Sequence, residues 1–204
     1  MMPVAGLLIA YLAGSIPFAF LAGKLFKGID LREHGSGNLG ATNVFRVMGW
    51  KIASVVMIFD MAKGALPVLL LPPRYAPESP VLWAIAFGVA AIVGHVKSVF
   101  LLWKGGGKGV ATAGGVFMAL APIPSLISLS VWGIVLYLSG YVSLASLTSA
   151  VALTIAVTIM MGVTSPVAIT CVLITAFVFW THRANIGRLR RGEENRFGRA
   201  RPAT

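Results

Sequence analysis

Three polar segments interrupt an otherwise apolar chain, and each carries side chains suited to holding an anion. The first is His34-Gly35-Ser36-Gly37-Asn38-Leu39-Gly40-Ala41-Thr42-Asn43-Val44-Phe45-Arg46. Ser36, Asn38, Thr42, Asn43 and Arg46 place hydroxyl, amide and guanidinium donors close together, and Arg46 has the planar fork that binds phosphate in two places. As a purely structural reading, Thr42 or Asn43 is the N-cap of a following helix. The second segment runs from Gly94-His95 to Lys104-Gly105-Gly106-Gly107-Lys108-Gly109-Val110-Ala111-Thr112. Successive glycines let backbone N–H groups converge on an anion, because no Cβ blocks the approach. Lys104 and Lys108 flank that turn, and a helix opening at Val110 points its positive end back at it. The third segment is His182-Arg183-Ala184-Asn185-Ile186-Gly187-Arg188-Leu189.

Two nucleotide readings fail on context. Gly35 to Gly40 matches G-x-G-x-x-G, but an apolar helix precedes it and no βαβ unit follows. The glycine run ending at Lys108 has Gly109 where a Walker A loop needs Ser or Thr for magnesium. Deeper in the chain, Asp60 and Lys63 lie three apart on one helical face and are expected to pair. An ion pair inside a membrane points either to function or to a structural role in orienting its helix. His95 and His182 fall near helix ends. The three histidines and six acids show no metal-ligand spacing, so neither metal nor cofactor is expected.

These segments need a scaffold, and composition says which kind. Of 204 residues, 57% are hydrophobic and 11% charged, with a mean hydropathy of +0.87; soluble domains carry about a quarter charged residues. A soluble domain, a disordered chain and a disulfide scaffold are excluded, and the single Cys171 reads as a small packing residue. The fold class expected is all-α: a polytopic membrane protein, one membrane-embedded domain over 1–204, with 183–204 a basic tail. Apolar spans are expected near Pro3–Gly23, Ile52–Leu71 and Val81–Leu102. Val110–Leu138 is expected to break at Ala121-Pro122-Ile123-Pro124. Residues 141–182 divide at a turn over Gly162–Pro166. The 24–51 connection has room for a short interfacial helix.

The net charge of +11 follows topology rather than nucleic acid. With seven crossings and the N-terminus outside, one side receives Lys24, Lys27, Arg32, Arg46, Lys51, Lys97, Lys104, Lys108 and the seven tail arginines. The other side receives only Arg74. Six crossings would break this positive-inside bias, so seven helices with a cytoplasmic C-terminus are expected. All three polar segments then face the cytoplasm.

Gly35-Ser36-Gly37-Asn38-Leu39-Gly40-Ala41-Thr42-Asn43 with Arg46 resembles the first signature of the bacterial membrane glycerol-3-phosphate acyltransferases that use acyl phosphate, the PlsY family. Asp60 with Lys63-Gly64 resembles the second element, Gly94-His95 through Thr112 the third, and His182, Asn185-Ile186, Arg188-Leu189 and Gly192-x-Glu194 the last. Three glycines stand between Lys104 and Lys108 where the family commonly has two, which leaves the register of Lys108 open. Ser98 stands where Pro is common, and Thr181 where a basic residue often precedes the histidine.

The resemblance implies transfer of an acyl chain from acyl phosphate to the sn-1 hydroxyl of glycerol 3-phosphate, giving lysophosphatidate and inorganic phosphate in phospholipid biosynthesis at the bacterial inner membrane. The donor would come from the bilayer or from a soluble acyl-phosphate-producing enzyme. No histidine is followed by aspartate after four residues, the base pair of many other acyltransferases. Acyl phosphate is already activated, so positioning and charge neutralisation carry the expected mechanism. Ser36, Lys104 and Arg46 are the expected catalytic residues. Ser36, Lys104, Gly105, Gly106, Gly107, Lys108 and Thr112 would hold the donor. Asn38, Thr42, Asn43, Arg46, His182 and Asn185 would hold glycerol 3-phosphate, with Asp60, Lys63 and His95 in support. The rival reading is a small-anion or phosphate transporter, which would show related halves and binding groups near the midplane.

Overall fold

The computed structural model describes residues 2–197. The rest of the basic tail, 198–204, lies outside the described residues. The chain divides into two compact units, Met1–Leu120 and Ala121–Thr204.

In the first unit, α1 (Met2–Ser15) and α2 (Phe18–Lys27) are separated at Ile16-Pro17, because proline cannot donate and its ring restrains the preceding residue. A loop with a short 3-10 turn, Leu31–Glu33, leads to α3 (Ala41–Met48). Then come α4 (Trp50–Leu70), α5 (Pro72–Tyr75), α6 (Pro80–Val96), a second 3-10 turn at Val99–Leu101, and α7 (Val110–Leu120). Small residues let these helices touch backbone to backbone, the usual packing device where lipid gives no hydrophobic drive. On α1, Gly14 lies against the backbone of Ala91 in α6, and Gly94 of α6 lies against Tyr11 and Ser15. Between α4 and α7, Gly64 packs on Thr112 and Gly115 on Met61. An apolar cluster, including Ala19, Leu31, Leu39, Val44, Val56 and Leu101, lies beneath the 28–48 loop and anchors it.

The second unit contains α8 (Pro122–Ser139), α9 (Val142–Met161), α10 (Pro166–Thr181) and α11 (Arg183–Arg190). Pro122 and Pro166 stand in the first turns of their helices, where the missing donor costs nothing. Ser165 caps α10 through Ala168 N at 3.1 Å. Polar side chains join the helices: Ser128 Oγ donates to Ser149 O at 2.7 Å, and the Thr154 and Thr175 hydroxyls pair at 2.8 Å. Cys171 is buried beside Thr154.

The expected helix break at Ala121, the turn at 162–166 and a helix inside the first polar loop are all present. Length alone gives five helices able to cross a membrane among the described residues, or six if the α10–α11 pair, bent by 60°, is one span. The difference from seven lies in two short helices. The 11 residues of α7 rise only about 16 Å, against a hydrocarbon core of about 30 Å. The 16 residues of α10 reach about 24 Å.

Candidate active site

The first polar segment is held in shape by Asn43. Its side chain is buried in the first turn of α3, where Oδ1 accepts from Ser36 N at 2.8 Å. Nδ2 donates to His34 O at 2.9 Å and Leu31 O at 3.2 Å. The cap of α3 is Gly40, with no side-chain cap bond. This corrects the expectation that Thr42 or Asn43 caps that helix: the Asn43 amide closes the loop over Leu31–Ser36 instead. Ser36 is exposed at the top of the closed loop, Asn38 and Thr42 are half-buried, and Arg46 is exposed in the last turn of α3.

The second polar segment is locked to the first. Leu39 N donates to Gly106 O at 3.3 Å, and Arg32 Nη1 donates to Lys104 O at 3.0 Å. Gly107 N donates to His95 O at 3.3 Å. A Cβ at Gly107 would overlap the His95 ring, and one at Gly106 the Val96 carbonyl, so only glycine permits this approach to the end of α6. The Gly107 amide is therefore engaged within the protein. Gly105 takes φ +98° and Gly109 φ +84° as the chain turns into α7. Lys104 is exposed and Lys108 half-buried. Thr112 is fully buried, and its Oγ1 has no hydrogen-bond partner among the described residues.

Beneath the loops lies the Asp60–Lys63 pair, with Nζ 2.6 Å from Oδ1 and both side chains buried. Lys63 Nζ also donates to Ile16 O at 2.8 Å, a carbonyl at the Pro17 break, and stands 5.4 Å from the Phe18 ring centroid. His95 Nδ1 lies 3.6 Å from Asp60 Oδ1. The cluster thus connects the broken first helix to the residue on which Gly107 rests.

Sequence reasoning misses the pairing of Asp30 with Arg32; its only signal is an acid two residues before a base at the start of a turn. Asp30 caps the first 3-10 turn through Arg32 N at 3.0 Å. Its Oδ2 pairs with Arg32 Nη2 at 2.6 Å. That bond to the guanidinium holds the Asp30 carboxyl down at about 2. The folded value lies below the unfolded one, about 3.9, so the pair's contribution is complete above the unfolded value and is lost as pH falls toward the folded one. Thermal scans in detergent over that acid window are expected to show a loss that is shallower in Asp30→Asn protein. Equal acid slopes in the two proteins would show that the pair contributes nothing.

In the second unit His182 is buried at the bend between α10 and α11, with Nδ1 2.8 Å from Val178 O. Asn185, buried on α11, donates from Nδ2 to Glu194 Oε1 at 2.8 Å, and Arg188 Nε donates to Glu194 Oε2 at 2.7 Å. Glu194 thereby pins α11 to the start of the tail.

Fold and loops together define a multi-pass, all-helical membrane protein whose first two donor-rich segments are locked together within its first unit. The chain belongs to the glycerol-3-phosphate acyltransferase family, whose sequence model matches residues 4–192. A glycerol-3-phosphate acyltransferase of Bacillus velezensis is 45% identical over 183 residues, covering 90% of this chain and 91% of the relative. Crystal structures of PlsY, an integral membrane glycerol 3-phosphate acyltransferase, are similar in both the glycerol 3-phosphate and the lysophosphatidic acid forms. Their TM-scores are 0.88 and 0.82 at 39% identity. Each comparison covers 96% of this chain, and 96% and 95% respectively of the solved chains.

Proposed function

We propose that this protein transfers an acyl chain from acyl phosphate to the sn-1 hydroxyl of glycerol 3-phosphate, as the first acylation of phospholipid synthesis. Family membership supports the acceptor, and the two similar PlsY structures are a glycerol 3-phosphate form and a lysophosphatidic acid form. The observation that carries the reading is the junction of Leu39 with Gly106 and of Arg32 with Lys104, which unites two donor-rich loops. The acceptor hydroxyl oxygen attacks the acyl carbonyl carbon, and the bond from that carbon to the phosphate oxygen breaks. Inorganic phosphate departs, and the hydroxyl proton passes to a substrate phosphate oxygen. Ser36, Lys104, Lys108, Thr112 and the amides of Gly105 and Gly106 hold the donor phosphate. Asn38, Thr42 and Arg46 hold glycerol 3-phosphate. Asn43 and Gly107 act by shaping the loops that carry these groups.

The proposed topology has seven crossings, the N-terminus outside and the site facing the cytoplasm of a bacterial inner membrane. Within the first unit, the Leu39–Gly106 bond requires both loops on one side. Within the second, Phe197 N donates to Gly140 O at 2.6 Å, which requires the start of the tail and the α8–α9 turn on one side. The positive-inside distribution agrees with both.

Purified protein in detergent, given labelled glycerol 3-phosphate and acyl phosphate, acyl-CoA or acyl carrier protein in parallel, is expected to make lysophosphatidate from acyl phosphate alone. Product from acyl-CoA alone would overturn the donor. Absence of product from every donor, in folded protein, would favour phosphate flux in liposomes and the transporter reading.

A further inference from the structure

Leu102 and Trp103 have φ of +50° and +58°, the only non-glycine residues in the left-handed region among the described residues. Two consecutive bulky residues there are strained, because each Cβ crowds the following carbonyl. Such strain persists only where the surroundings enforce it, and it gathers at working sites. Packing does not enforce it here, since Leu102 is 69% and Trp103 55% exposed. Hydrogen bonds do. Trp103 N donates to Ser98 O at 2.9 Å, Leu102 N to Val99 O at 3.0 Å and Lys104 N to Leu101 O at 2.9 Å. Ser98 Oγ in turn donates to Ser15 O of α1 at 2.5 Å.

One side chain holds both ends of this turn. The Tyr11 hydroxyl, from α1, donates to Lys97 O at 2.8 Å and accepts from Trp103 Nε1 at 2.9 Å. Lys97 is where the chain leaves α6, and Trp103 is the residue before Lys104. On the far side, Arg32 Nη1 fixes the Lys104 carbonyl. The backbone that presents Lys104 is therefore clamped between Tyr11 and Arg32.

We propose that Tyr11 is a positioning residue for acyl transfer, whose hydroxyl holds the strained Leu102–Trp103 turn and so aims Lys104 at the donor phosphate. This rests on Lys104 holding that phosphate, as proposed above. Two consequences separate it from a bland structural bond. A loss at Tyr11 falls on the donor and not on the acceptor. The turn also tolerates at position 102 whatever adopts positive φ, which glycine does without cost and a β-branched residue resists.

The test is steady-state kinetics on Tyr11→Phe, Leu102→Gly, Leu102→Val and the double variant Tyr11→Phe/Leu102→Gly, each with its thermal midpoint. Tyr11→Phe is expected to raise KM for acyl phosphate by about tenfold, the scale of one or two lost hydrogen bonds. KM for glycerol 3-phosphate and the thermal midpoint stay unchanged. Leu102→Gly works as well as the parent, Leu102→Val loses at least as much as Tyr11→Phe, and the double variant regains most of the loss. A donor KM within twofold of the parent in Tyr11→Phe would overturn the proposal. So would a parallel shift in both KM values and the midpoint, or Leu102→Val working better than Leu102→Gly. Lys104→Ala serves as the reference. Full activity there would remove the donor-site reading itself, whereas loss there with a normal Tyr11→Phe would remove this proposal alone.

Discussion

Lys104→Ala is expected to reduce kcat/KM by roughly three orders of magnitude while leaving the fold intact. The size follows from the chemistry. In acyl transfer from acyl phosphate, charge on the leaving phosphate grows as the bond to carbon breaks, and a pre-positioned donor at such a charge is worth about 100- to 1,000-fold in rate. An ammonium adds a full charge to the hydrogen bond. The fold is spared because the structural partner of Arg32 is the Lys104 carbonyl, not its side chain, and that side chain is exposed. Lys104→Arg keeps the charge but replaces a compact ammonium by a wide planar fork, so it should recover only part of the rate. Kinetics in detergent with both substrates varied, alongside thermal midpoints, measure this directly. An alanine variant retaining more than a tenth of the parent rate would remove Lys104 from the mechanism.

Lys104 is legible in the sequence and Tyr11 is not, and the difference is one of range. Lys104 stands beside a glycine run at a helix start, a pattern that carries its own physical meaning within a few residues. Tyr11 acts through a backbone carbonyl 86 positions away, and Ser98 through one 83 positions away. Any residue supplies a carbonyl, so composition leaves no trace of such partners. The helix starts at Pro122 and Pro166 are readable for the opposite reason, since proline acts locally on the backbone it occupies. The break at Pro17, by contrast, falls inside a span expected to run unbroken near Pro3–Gly23. Asn43 shows the middle case. Its position in a donor-rich loop is visible, but whether its amide faces a ligand or its own loop depends on the path of residues 31–36, which the Asn43 bonds themselves set. Span count is hardest. Charge bias calls for an odd number of crossings, whereas α7, and α10 without α11, are too short to be recognised by length.

Lys63→Met is expected to destabilise the protein by about 3–5 kcal/mol, the cost of leaving a buried partner charge uncompensated, and Lys63→Met/Asp60→Asn to recover most of that loss. Pro17 separates α1 from α2. A proline inside an apolar span breaks the helix and frees carbonyls that lipid cannot satisfy. Lys63 answers one of them, Ile16 O at 2.8 Å, and its charge is balanced by Asp60 at 2.6 Å. Removing the ammonium alone leaves the carboxylate without its counter-charge and takes one of two donors from the carbonyl. Removing both charges costs only the Lys63 bond to a carbonyl that still accepts from Phe18 N at 3.2 Å, a residual of about 0.5–1.5 kcal/mol. Unfolding in detergent of the two single variants and the double variant gives the coupling directly. A double variant no more stable than Lys63→Met would show that the charge balance is not what Lys63 provides. The same proteins choose between the two roles that an intramembrane ion pair allows. If the pair only closes the break, activity per folded molecule in the double variant stays within a few fold of the parent. A collapse of kcat in folded double variant would instead tie Asp60, through His95 at 3.6 Å and the Gly107 backbone it supports, to the geometry of the phosphate loop.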